Sequence, residues 1–189
     1  MNKILLTTTS LLALLFMLPA QAADYKIDPT HSFIEFKINH LGISWMHGRF
    51  NTLSGSLNYD SANPNDSRIQ LDIDPASIDT NHAERDKHLR NEDFLDVKKY
   101  PDASFATTSF VGNDTGGKLS GTLNMHGVSK EIVIDVEKTG EGKDPWGNYR
   151  VGFAGTTELV REDFGMGYNL GPAAKTMQLQ LTIEGVRQK

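Results

Sequence analysis

Cysteine is absent from the 189 residues. No disulfide can staple the chain, so its fold must rest on packing alone, and the cysteine-anchored lipoprotein route is closed. Positive charge is in short supply: 19 lysines and arginines stand against 24 aspartates and glutamates, a formal net charge of −5. An acidic surface argues against nucleic acid as a partner. The one long apolar run is N-terminal, where "LLALLFMLPA" follows Lys3 and ends at Ala20-Gln21-Ala22. It is too short, and its flanks are wrong, for a stable membrane span. The arrangement is that of a signal peptide over residues 1–22, cleaved after Ala22. Its removal takes Lys3 with it and leaves 18 basic against 24 acidic residues, a net charge of −6. Residues 23–189 suit a single domain with a sizeable core.

From Ala23 onward the hydrophobic period is mostly two, the period of a half-buried strand. Ile34, Phe36 and Ile38 share a face opposite Glu35 and Lys37. Leu53, Leu57 and Tyr59 fall together, with Gly55 where a backbone bends or comes close. Ile69, Leu71 and Ile73 alternate with polar partners, and a weaker strand surrounds Phe105. Leu119, Leu123 and Met125 are answered across a turn at His126-Gly127 by Ile132, Ile134 and Val136. Tyr149, Val151 and Phe153 form a further set, as do Met177, Leu179, Leu181 and Ile183. The result is about eight strands joined by short loops bearing Gly, Asn and Pro.

Eight alternating strands predict an all-β, eight-stranded antiparallel barrel, closed so that no edge is exposed and with room inside for side chains or one small ligand. A two-sheet sandwich has the same alternation and stays open as the rival. An outer-membrane barrel fits less well, because the face opposite the apolar one carries Glu35, Lys37, Gln70, Asp72, Gln178 and Gln180.

One stretch breaks the period. "NHAERDKHLRNEDF", residues 81–94, is the densest run of charge in the chain. Asn81 and Glu84 have the spacing of a capping box, and Glu84–His88 and Asp86–Arg90 stand one helical turn apart. Such pairs are too weak to hold so short a helix, so it must dock apolar anchors, of which Leu89, Phe94 and Leu95 are available. The expectation is a short helical segment near residues 81–95 that closes one barrel end and keeps its charges in solvent. Nothing in it sets a nucleophile beside a base.

Several whole stretches point further. "ADYKIDPTHSFIEFKINHLG", "DTNHAERDKHLRNEDFLDVKKYPDASF", "GTLNMHGVSKEI", "DPWGNYRVGF", "LGPA" and "IEGVRQK" resemble the YceI-like family of bacterial polyisoprenoid-binding proteins, over essentially the whole mature chain and in the expected order. The resemblance implies a lipocalin-like barrel, periplasmic after signal cleavage, that holds a long isoprenoid lipid of quinone or prenyl-phosphate type in its lumen. It implies no other cofactor, and leaves room for transient membrane contact. It makes His31, Ser32, Asp86, His88, Leu89, Arg90, Phe94, Tyr100 and Pro101 notable positions. It does not designate the ligand contacts. Those follow from strand phase, which turns Ile34, Phe36, Ile38, Leu71, Phe105, Leu123, Ile134, Phe153, Leu179 and Leu181 inward. Gly55, Gly121 and Gly155 fall on or near the same phases and are expected to leave volume for a tunnel, unless they serve only to let strands coil.

Other features carry less. His31, His40 and His47 lie close in sequence but lack a metal-ligand spacing, so no metal site is expected. "GNDTGG" and "GEGKDPWG" lack a phosphate-loop fingerprint and suit hairpin turns. Glu162-Asp163 has no visible partner across a cleft for glycoside chemistry. In "HLGISWMHG", Leu41, Ile43, Trp45 and Met46 crowd what is expected to be an apolar loop, either a lid on the core or a portal for ligand. Two function classes follow: a binding or carrier protein that shields a lipid, or an enzyme (a hydrolase or isomerase) acting on one, for which His31, Asp86 and Arg90 are the candidate groups. The pattern carries no mark of oligomeric state.

Overall fold

The computed structural model describes residues 22–189, so the expected signal peptide, apart from Ala22, lies outside the described residues. Eleven strand segments follow in chain order: β1 (Ala23–Ile27), β2 (Phe33–His40), β3 (Ser44–Phe50), β4 (Leu53–Tyr59), β5 (Arg68–Ile73), β6 (Ile78–Asp79), β7 (Ala103–Asn113), β8 (Gly116–Met125), β9 (Val128–Lys143), β10 (Tyr149–Val160) and β11 (Thr176–Arg187). One α-helix, α1 (Ala83–Leu89), lies between β6 and β7. Every pairing is antiparallel, and the ring β1-β4-β5-β7-β8-β9-β10-β11 closes through β11 on β1. Closure excludes the sandwich.

Eleven segments make eight staves because three staves are broken. The second half of β11 pairs with β1 and its first half with β2. Likewise β4 pairs with β1 while β3 pairs with β2, and β6 continues the line of β5 along β3. One backbone bond and one side chain bridge the first break. Asp28 N–H donates to the Glu184 carbonyl at 2.8 Å, and Ser32 Oγ accepts from Glu184 N–H at 3.0 Å, so the backbone of β11 stays satisfied across the gap. Ser32 is buried for this reason.

Alternation turns one apolar face of each stave inward, and those faces meet as a single core. Two glycines have a steric reason in that core. A Cβ on Gly55 would lie 2.1 Å from the Gln70 carbonyl oxygen, and one on Gly121 would lie 2.2 Å from Cζ of Phe105. These glycines therefore accept a neighbour's backbone or ring, and do not leave open volume as expected. The β8–β9 hairpin turns at His126-Gly127, both at positive φ (53° and 73°), the two-residue form that matches strand twist.

Two local expectations change. The stretch expected as a loop over residues 41–46 is largely strand: Leu41 and Gly42, at φ 57° and 76°, make a tight turn, and β3 begins at Ser44. The helix is capped by His82, whose Nδ1 accepts from Arg85 N–H at 3.3 Å, and not by Asn81, which sits at φ 60°. Nor do its charges all face water. Asp86, 7% exposed, accepts from Thr80 N–H at 2.9 Å and from the Thr80 hydroxyl. Arg90 reaches the carbonyls of Ala76 and Ile78 at 2.7 and 2.6 Å, and His88 pairs with Asp93 in place of Glu84. These side chains tie α1 to the strand that precedes it. The apolar anchors dock as expected: Phe94 and Leu95 are buried and Leu89 is half-buried.

Candidate functional site: the barrel lumen

Strand directions give the barrel two unlike ends. The starts of β7 and β11, the β2–β3 and β8–β9 turns and α1 share one end, while the β4–β5 loop and the β7–β8 turn share the other. The core is packed toward the α1 end. Toward the other end it encloses a cavity of about 120 Å³, bounded by the middle of the staves and reaching a rim of Ser67, Arg68, Asn113, Asp114 and Gly116. Apart from that rim the walls are aliphatic and aromatic. Ordinary ligand pockets run to about 300–1,000 Å³. The lumen is thus a narrow apolar slot.

Of the ten residues expected inward, Ile34, Leu71, Phe105, Leu123, Ile134, Phe153, Leu179 and Leu181 line this cavity. Phe36 and Ile38 do not, although both are buried. They belong to the half of β2 nearer α1, where the Phe36 ring lies over Gly48 and against Phe50 at 6.0 Å. The cavity also takes Leu57, Tyr59, Ile69, Ile73, Leu119, Ile132, Val136, Ile183 and Phe110, which the expected set leaves out. All but the last sit in the same alternating patterns. Phe110 does not, because a bulge between Thr107 and Ser109 shifts the phase of β7 by one residue. Of the three glycines, Gly155 alone borders the cavity: a Cβ there would meet side-chain atoms of Ile134 and Leu181 at 3.0–3.4 Å, tight but without the overlap found at Gly55 and Gly121.

The expected lid or portal lies elsewhere. Leu41, Ile43 and Trp45 are 67%, 83% and 50% exposed on the β2–β3 hairpin, and Met46 packs partly onto the core. None of the four lines the cavity, and the hairpin stands at the end opposite its rim. A tight turn leaves Leu41 and Ile43 standing off the barrel, and the hairpin does not cover the cavity.

Of the polar groups proposed for chemistry, Asp86 and Arg90 are neighbours on α1, and His31 stands apart from them. His31 lies at the corner between β1 and β2, where its Nδ1 meets Asp28 Oδ2 at 2.9 Å, while Asp86 and Arg90 serve the backbone beside α1. None of the three lines the lumen. At the corner, Arg150 joins Asp28 at 2.7 Å, Asp144 at 2.7 Å and Glu184 at 2.5 Å, binding the β9–β10 hairpin to β1 and β11. The Thr30 hydroxyl, with help from His31 and Arg150, holds the Asp28 carboxyl well below the usual carboxylate range, and Arg150 does the same for Asp144. Asp28, His31 and Glu184 are the one trio among the described residues spaced as metal ligands could be, but the Arg150 guanidinium already sits on both carboxylates. Tyr100 stacks on His126 at 4.5 Å and covers Gly127, a packing role at the β8–β9 turn.

Comparison with known proteins places this barrel in company. The model of the YceI-like domain matches residues 25–185. A UPF0312 protein of Pseudomonas aeruginosa (strain LESB58) is 48% identical over 171 residues, covering 89% of this chain and 90% of that protein. Another, from Shewanella sp. (strain W3-18-1), is 46% identical over the whole of both chains. Among solved structures, the YCEI protein of Campylobacter jejuni superposes with a TM-score of 0.72 at 31% identity, over 80% of this chain and 91% of its own. A structure described as a polyisoprenoid binding domain from Saccharophagus degradans shares the fold, with a TM-score of 0.65 at 19% identity, over 89% of this chain and all of that one.

Proposed function

Because this chain belongs to the YceI-like domain family, we propose that it is a binding and carrier protein for a long-chain polyisoprenoid lipid, of isoprenoid quinone or prenyl phosphate type. The observation that carries the reading is the lumen, whose walls are apolar from stave to stave and reach solvent at one polar rim. Burial contributes about 0.8 kcal/mol per methylene, so an apolar tail binds without any reacting group. The Saccharophagus degradans domain of the same fold, described as polyisoprenoid-binding, supports the choice of ligand. Enzyme action on such a lipid is the weaker reading, since Asp86 and Arg90 are engaged with backbone groups beside α1, His31 sits at the β1–β2 corner, and none of the three lines the lumen. In this reading the leader directs the protein to the periplasm and is cleaved after Ala22. The exposed Leu41, Ile43 and Trp45 give the protein an apolar surface for transient membrane contact at the end opposite the rim. Lipid extraction of the natively purified protein, followed by mass spectrometry, tests the assignment. A stoichiometric isoprenoid is the expected result, and recovery of only mixed membrane lipid in trace amounts would contradict it.

A further inference from the structure

The lumen wall has one polar atom that nothing in the protein satisfies. Among the described residues, Ser67 Oγ is the single buried side-chain nitrogen or oxygen without a hydrogen-bond partner. Its placement follows from local structure. Ser67 ends the 3-10 turn Pro64–Asp66, donating its N–H to the Pro64 carbonyl at 3.1 Å, and its own carbonyl accepts from Arg68 Nη1 at 2.7 Å. The backbone is therefore satisfied and extended (φ −61°, ψ 143°), and it leads directly into β5. Two residues on comes Ile69, then Leu71 and Ile73, all on the lumen wall, and Ser67 lines the same cavity at its rim. Buried hydroxyls are normally paired, and alanine would fill this place without an orphaned donor.

We propose that the Ser67 hydroxyl is the hydrogen-bonding subsite for the head of the lipid, and that it takes an uncharged oxygen, a carbonyl or an alcohol, in preference to a phosphate. The proposal rests on the lipid-binding reading and sharpens it. Charge around the rim decides the class of head. A phosphate or diphosphate calls for unopposed cationic donors. Here Arg68 has its Nη1 on the carbonyls of Asn65 and Ser67, and Asp114 lines the same rim. The lysines on nearby strands are matched, Lys118 by Asp135 and Lys138 by Glu141. A rim that carries both signs and a single free hydroxyl suits one neutral oxygen on an apolar tail.

The test compares the mature wild type with Ser67→Ala and Ser67→Thr against four probes of matched tail length: an isoprenoid quinone, a polyprenol, a polyprenyl phosphate and an isoprenoid hydrocarbon. Circular dichroism melts confirm that each variant folds. Wild type should bind the quinone or the polyprenol about five- to tenfold more tightly than the hydrocarbon, the contribution of one neutral hydrogen bond. Ser67→Ala should lose that preference while its affinity for the hydrocarbon is unchanged, and Ser67→Thr should keep it. The oxygenated probe that responds identifies the head as carbonyl or alcohol. Equal preference in wild type and Ser67→Ala overturns the proposal, as does tightest binding of the phosphate. If wild type binds the hydrocarbon but shows no preference, the subsite fails and the lumen reading survives. If it binds none of the four, both fail.

Discussion

Asp28, Arg150 and Asp144 show how single residues hold this barrel at its corners. Both carboxyls are held well below the usual range, by the Thr30 hydroxyl and by Arg150. Their ion pairs and hydrogen bonds therefore stabilise the fold fully above the unfolded carboxylate pKa, about 4. That contribution is lost as pH falls from there through the lower folded values. Removing Arg150 takes away the guanidinium that Asp144 and Asp28 share. The melting temperature of Arg150→Ala should thus lie below that of wild type at pH 7, and the gap should narrow steadily below about pH 4. A gap that stays constant from neutral pH to pH 2 would show that these pairs do not carry the acid response. Asp86 makes a second case. Replacing it with alanine strands the buried N–H and hydroxyl of Thr80 and should cost about 1–3 kcal/mol for each unsatisfied group. Glu84→Ala, two residues away on the same helix and exposed, should cost well under about 1 kcal/mol. Equal, small losses in urea melts would mean that Asp86 does not anchor α1.

Elements were legible in the sequence wherever one face is buried against one face in water. β5 reads Ile69, Leu71, Ile73 in sequence and turns those same residues to the core, the first two buried and the third partly so. β2 and β11 turn their alternating apolar residues to the core too, those of β11 mostly half-buried. The failures occur where the alternation is interrupted for a backbone reason. The bulge in β7 moves Phe110 into the lumen out of phase, and the turn at Leu41-Gly42 hides a strand that begins one residue after Ile43. Charge in α1 misleads for another reason: Asp86 and Arg90 stand one turn apart, yet each finds a better partner in backbone groups of the preceding strand, which no spacing rule reveals. The β2–β3 hairpin also carries a testable consequence. Lys37 stands beside the apolar tip with its Nζ 5.1 Å from the Trp45 ring, while Arg49 farther along β3 pairs with Asp79. Apolar tip and basic flank suit an anionic bilayer surface. Flotation with anionic vesicles should retain the wild-type protein and release a variant with Leu41, Ile43 and Trp45 all changed to Ser. Equal retention would remove the hairpin from membrane contact.

At the scale of the molecule, a closed barrel gains its core from its own curvature. The eight inward faces meet, and what they do not fill is the slot of about 120 Å³ beside the rim. Closure and strand number could be expected from the sequence, because edges need covering and eight short alternating segments suffice to close. The size of the lumen could not, since it depends on whether each glycine leaves space or receives a neighbour's ring. The Phe105 ring lies across Gly121 and comes within 2.2 Å of where a Cβ would stand, whereas the nearest atoms at Gly155, on Ile134 and Leu181, keep 3.0 Å or more. The central claim is that this slot takes an apolar chain. Binding of a long-chain isoprenoid to wild type and to Gly155→Leu, read by transfer from detergent, tests it most directly. Wild type should take up one chain per barrel, and Gly155→Leu should remain folded but bind at least about tenfold more weakly, the loss expected when a large side chain enters a narrow apolar pocket. Failure of wild type to take up the chain, or undiminished binding by a folded Gly155→Leu, would contradict the account.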